Sequence, residues 1–217
     1  MAVLVWDDAG NRFYETGISK GVLYPIDASG DYPLGHAWNG IVSVSESPSG
    51  AETTKLWADN INYLNLISAE EFALTLDAYT YPVEFGPCDG SVESETGVFI
   101  SQQPRTKFGL AYRTEVGNDV DGQAHGYLLH LVYGCQAAPS ERAYNSINDS
   151  PEAITFSWEI TSTPALVTGE QPTSLIVIDS RTADPTDLAA FLLVLFGDAA
   201  TDPELPDPDA VIAAFTP

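Results

Sequence analysis

The feature that most constrains this chain is a period of two. Ile154, Phe156, Trp158 and Ile160 alternate with Thr155, Ser157, Glu159 and Thr161. Successive side chains of a strand point to opposite faces, so such a stretch gives one face to a core and the other to water or a partner. The same alternation runs through residues 71–81, where Phe72, Leu74, Leu76, Ala78 and Thr80 share a side, and through Phe108, Leu110, Tyr112 and Val116. Residues 127–135 are apolar on both faces and are expected as a central strand. Residues 175–178 read as a short buried strand. Gly and Pro punctuate the chain throughout, as many short strands joined by turns require.

One segment has a different period. Leu188, Phe191, Leu192 and Leu195 follow the i, i+3, i+4, i+7 stripe of a helix lying on a sheet. Asp184 suits its N-cap, Pro185 its first position and Gly197 its stop, which predicts a packed helix over 185–196. A smaller helix is predicted over 208–215, capped by Asp207. The Asp- and Pro-rich linker before it, residues 198–207, makes this tail an expected arm outside the core. The expected fold is therefore mainly β: a β-sandwich or barrel-like domain over residues 1–197 with one flanking helix, then an acidic extension over 198–217. Residues 45–60 and 88–97 are polar and read as long excursions between strands. Trp57, Ile61, Tyr63, Leu64 and Leu66 give the first of them an aromatic end, as a docking arm would have.

Charge narrows the function. The 217 residues hold 31 acids and 8 bases, a formal charge of −23, and such a surface excludes a protein that grips nucleic-acid phosphates. A hydrophobic content of 44% excludes disorder. No run approaches the roughly 18 apolar residues of a membrane span, so no membrane insertion is expected. Met1-Ala-Val-Leu-Val-Trp6 has neither a leading base nor a small-residue cleavage site, so no signal peptide is expected. Asp7-Asp-Ala-Gly-Asn11 reads as a turn after an N-terminal strand. Cys88 and Cys135 are too few for a disulfide scaffold and are expected as reduced thiols, with pairing possible only if the fold brings them together.

The inventory for catalysis is thin. His125 and His130 are five residues apart on an expected strand, so they face opposite sides and cannot share a metal. His130, in the doubly apolar strand, is expected to be a hydrogen-bonded core or interface side chain. Asn118-Asp-Val-Asp-Gly122 resembles a calcium loop but lacks the remaining donors, and it falls where a turn between strands belongs. No nucleophile elbow, phosphate loop or zinc motif is present. No enzyme activity, metal or cofactor is expected.

An ordered set of short motifs remains. It comprises Gly21-Val-Leu-Tyr-Pro-Ile-Asp27, Gly35-His-Ala-Trp-Asn-Gly40, Val44-Ser-Glu-Ser47, Ala58-Asp-Asn60 with Tyr63-Leu64, and Glu71-Phe72. Ala78-Tyr-Thr-Tyr-Pro82, Glu84-Phe85, Cys88-Asp-Gly90, Lys107-Phe-Gly-Leu110 and Tyr112-Arg113 follow. In order and spacing, over residues 17–179, this set resembles the major tail proteins, or tail tube proteins, of long-tailed bacteriophages. The resemblance implies a structural virion protein, made in the bacterial cytoplasm, that self-assembles into stacked and usually sixfold rings. Those rings form a hollow tube through which double-stranded DNA leaves the capsid. It implies contacts with further copies and with tape measure, terminator and distal tail proteins.

On that reading Glu71, Asp77, Glu93, Glu95, Glu115 and Glu159 are candidate lumen acids. Trp38, Trp57, Tyr63 and Leu64 are candidate inter-subunit contacts, with burial beside a turn the alternative for Trp38. Residues 45–60 are the candidate inter-ring loop. An acidic lining repels DNA over about a Debye length, roughly 8 Å at physiological salt, so the duplex slides without adhering. The rival readings are a monomeric secreted β-sandwich that binds carbohydrate or a cell surface, and a metal-dependent hydrolase. A salt-loving host would also explain the acid excess, and it is compatible with a tube.

Overall fold

The computed structural model describes residues 4, 6–147, 149 and 152–216. The strand expected ahead of Asp7 falls largely outside the described residues. The strands are β1 (Tyr14–Pro25), β2 (His36–Ala37), β3 (Ile41–Glu46), β4 (Ser49–Gly50), β5 (Thr53–Ala58), β6 (Ile61–Ile67) and β7 (Glu70–Glu71). They continue with β8 (Ala73–Ala78), β9 (Ser91–Glu95), β10 (Val98–Ser101), β11 (Phe108–Asn118), β12 (Gly122–Ala137), β13 (Phe156–Ser162) and β14 (Leu175–Asp179). Two 3₁₀ turns, Val83–Phe85 and Pro87–Asp89, precede β9, and two helices, α1 (Pro185–Phe196) and α2 (Pro208–Ala214), close the chain. The fold is mainly β and sandwich-like, as the alternation predicts.

One eight-stranded antiparallel sheet, in the order β2-β1-β11-β12-β13-β8-β3 with β14 also paired to β12, carries the molecule. The doubly apolar strand, β12, lies at its centre. It pairs with β14 through Leu128–Val132 and with β13 through Cys135–Ala137. Gly134 lies between the two ladders at φ +61°, and a Cβ there would overlap the backbone of Thr163. Only glycine lets the central strand change partners at this point.

The sheet buries a core on each face. On the concave face Leu74, Leu76, Phe108, Leu110, Val132, Trp158 and Ile160 pack with Trp38, Phe85 and both cysteines. Cys88 and Cys135 are free and fully buried, and burial pushes the Cys88 thiol up to about 12. The ends of the sheet approach one another at Gly21, where a Cβ would overlap Ile41 of β3 and where the carbonyl accepts from the Trp38 amide at 2.8 Å. On the convex face α1, α2 and the segment between them cover Tyr24, Ala111, Leu129, Leu131 and Tyr133 with Leu188, Phe191, Leu195, Leu205 and Val211. The Asp184 carboxylate accepts from the amides of Thr186 and Asp187, and that of Asp207 from Ala210, so both helices begin at the predicted caps.

The tail differs from the expected arm. Leu205, Pro208 and Val211 are buried. The Leu205 amide donates to the Tyr32 carbonyl, the Glu204 amide to that of Val194, and the Tyr133 hydroxyl to that of Pro206. The Asp and Pro residues that suggested a detached linker serve here as turn and cap residues, while three apolar side chains bind the segment down. Among the described residues no helix is long and apolar enough to cross a membrane.

Removing Leu205 therefore leaves a cavity between the tail and the convex core. Leu205→Ala is expected to lower the unfolding free energy by about 2–5 kcal/mol in urea titration. Ile212→Ala, on the exposed side of α2, is expected to change it by no more than about 0.5 kcal/mol.

Candidate functional site

The expected loop over 45–60 is a β-ribbon. The β3–β8 pairing continues past the sheet as β4 with β7, then β5 with β6, bridged by Ser47 to Ala73, Ala51 to Ala69 and Ser68 to Glu52. From Ser47 to the turn the outgoing strand has about a dozen residues, roughly 40 Å at 3.3 Å per residue. Asp59 and Asn60 form the turn, both at positive φ, the arrangement a two-residue hairpin needs.

Among the described residues no core covers this ribbon. Leu56 faces Leu64 and Thr54 faces Leu66 across the ladder, so three leucines share one face. Trp57, Tyr63 and Ile67 are 68%, 70% and 69% exposed. Thr53–Ile67 holds one base, Lys55, and one acid, Asp59, so the segment is neutral in a chain of charge −23. An isolated two-stranded hairpin is marginal in water, and apolar groups on both faces make it a structure that needs a partner. Residues 88–97 likewise hold the first strand of a hairpin, β9–β10, with Val92, Val98, Phe99 and Ile100 exposed.

The expected contact residues divide. Trp57, Tyr63 and Leu64 lie on the ribbon. Trp38 is a correction: at 3% exposure it packs on Phe85 and Trp158, and its indole N–H donates to the Thr80 carbonyl at 2.9 Å. It belongs to the core between β1 and β3.

The six expected lumen acids do not converge on one patch. Asp77 and Glu159 share a polar face with Ser43, Ser45, Thr75 and Ser157, fixed by the Ser43–Asp77, Ser157–Asp77 and Glu159–Thr75 registers. The Ser43 hydroxyl donates to Asp77 at 2.7 Å. Strands β3, β8 and β13 contain no Lys or Arg, so this face is hydroxylic and acidic. Glu71 sits at the ribbon base, paired with Ser49. Glu93 and Glu95 lie on the β9–β10 hairpin, where Glu93 accepts from the Gly97 amide. Glu115, on β11, is bound by Arg113 at 2.6 Å.

The histidines carry no shared site. His130 is buried, stacked on Tyr112 at 4.6 Å, with Nε2 3.0 Å from the Thr114 hydroxyl. Its Nδ1 has no hydrogen-bond partner; Glu46 Oε1 lies 3.5 Å away and accepts from the Tyr112 hydroxyl. Asn118 closes the β11–β12 turn by accepting from the Val120 and Asp121 amides. Among the described residues no three His, Cys, Asp or Glu side chains are placed to hold a metal. Comparison with protein-family models gives no match to this chain, and comparison with curated proteins gives none either.

Burial holds the His130 imidazole below its ordinary value of 6.5, against the opposing pull of Glu46 and Glu15. The unfolded chain therefore takes up this proton first. Stability is expected to be complete above about pH 6.5 and to fall as pH drops through that value, by at most about 1.4 kcal/mol per pH unit from this group. Urea midpoints between about pH 8 and 5 are expected to lose that part of their slope in His130→Phe.

Proposed function

We propose that this chain is the building block of a hollow homopolymer, the tail tube of a long-tailed bacteriophage, assembled as stacked hexameric rings that conduct double-stranded DNA. The observation that carries this reading is the ribbon: an arm about 40 Å long whose outer part, Thr53–Ile67, is neutral and apolar on both faces in a chain of charge −23, and which no core of the described residues covers. Burial between neighbouring copies supplies the cover it lacks, and its length suits a connection from one ring to the next. The motif resemblance supports the same reading, as does the face that carries Asp77 and Glu159. With no cation on its three strands that face would repel a duplex, so of the six expected acids we assign Asp77 and Glu159, with this face, to the lumen. A monomeric secreted binding module, the alternative, would leave both ribbon faces in water.

Like-charged copies repel, so assembly requires that apolar contact outweigh self-repulsion. Screening shortens the Debye length from about 30 Å at 0.01 M salt to about 3 Å at 1 M. Concentrated protein viewed by negative stain is expected to form rings or hollow tubes, more abundantly as salt rises. The triple variant Leu56→Ser, Leu64→Ser, Leu66→Ser is expected to unfold at the same urea concentration as the native chain and to remain monomeric. A native chain that stays monomeric at every concentration and salt would overturn the proposal.

A further inference from the structure

A groove of about 920 Å³ opens between the two 3₁₀ turns, the β9–β10 hairpin and residues 139–144. Its walls are mixed: the apolar and aromatic side chains of Tyr81, Val83, Phe99 and Tyr144 stand among serines and the Gln102–Gln103 pair. Arg105 and Arg142 meet at its floor on a single carboxylate, Asp89, with Arg105 at 3.2 Å and also donating to the Ala137 carbonyl. The Arg142 guanidinium lies over the Tyr81 and Phe156 rings. Two of the chain's eight cations thus sit together in one concavity with one acid between them, an uncompensated positive charge on a molecule of net charge −23.

We infer that this groove receives the ribbon tip of a second copy of the chain. The tip offers what the groove lacks. Asp59 stands at the turn with Trp57 and Ile61 beside it, all three exposed, so one acid arrives flanked by apolar side chains. Two arginines then meet two aspartates, and the aromatic walls take the apolar flanks. None of the groove's lining residues belongs to Thr53–Ile67, so the occupant comes from another molecule. Tip and groove are different patches, which makes the contact heterologous. Such a contact grows into a ring or an open polymer and does not stop at a dimer. The inference rests on the assembly proposed above and names the surface that receives the arm.

The test is a charge exchange within the full-length chain. Arg142→Glu and Asp59→Lys are each expected to raise the protein concentration needed for assembly by about tenfold or more, measured by sedimentation. The double variant, with both signs reversed, is expected to recover most of that loss. A lysine tolerates the Asp59 backbone, since Lys20 holds φ +55° in this chain. Phe99→Ser alters the wall without touching Asp89 and is expected to weaken assembly while leaving the urea midpoint unchanged. If Arg142→Glu and Phe99→Ser assemble at the native concentration, the groove is not the receptor, although the polymer stands. Impaired single variants without recovery in the double would refute the Asp59 pairing. A native chain that never assembles would remove the underlying proposal as well.

Discussion

The rest of the structure depends on the long antiparallel pairing of β11 with β12. Both strands carry apolar side chains on both faces, so their ladder cannot lie at a surface and must be covered twice. The concave side is covered by the sheet itself, which curls until β3 meets β1 at Gly21. The convex side is covered by α1, α2 and the Leu205 segment. The cover is uneven: β3, β8 and β13 receive none on their outer face, and there the sequence turns to Ser, Thr, Asp and Glu. A single strand pair thus determines where the helices lie and which face stays open and acidic.

The ribbon follows the opposite logic. Its apolar residues are as many as a buried strand would need, yet among the described residues no core packs on them. Electrostatics separates body from arm, since almost all the charge lies outside Thr53–Ile67. In the proposed polymer the body keeps copies apart until a neutral arm finds a partner, and the acidic face holds a passing polyanion at a distance. One charge imbalance would then serve both solubility before assembly and free passage after it.

Much of the fold was legible in the sequence. Period-two runs located β8, β11 and β13, the doubly apolar run located β12, and Asp184 with Pro185 fixed the start of α1. The failures have physical causes. β1 hides behind Gly17, Lys20 and Gly21, whose positive φ or close approach shifts its register twice, so no clean alternation survives. Residues 45–60 look like a loop because their strands lack a buried face. The Asp59-Asn60 pair, with apolar residues on either side, was the signal for a hairpin. The tail looked detached because its Asp and Pro content masked the widely spaced anchors Leu205, Pro208 and Val211. Trp38 could not be assigned from local pattern, since its burial depends on the meeting of two strands distant in the sheet order.

The central claim is that the ribbon is uncovered in the single chain and covered in the polymer. Amide hydrogen exchange over residues 53–67, compared between isolated chains and assembled material, tests this most directly, because ladder amides with no packing open readily whereas packed ones do not. The account expects fast exchange in the isolated chain and strong protection after assembly, with the β11–β12 amides protected in both. Ribbon amides that stay equally fast in the polymer would contradict it.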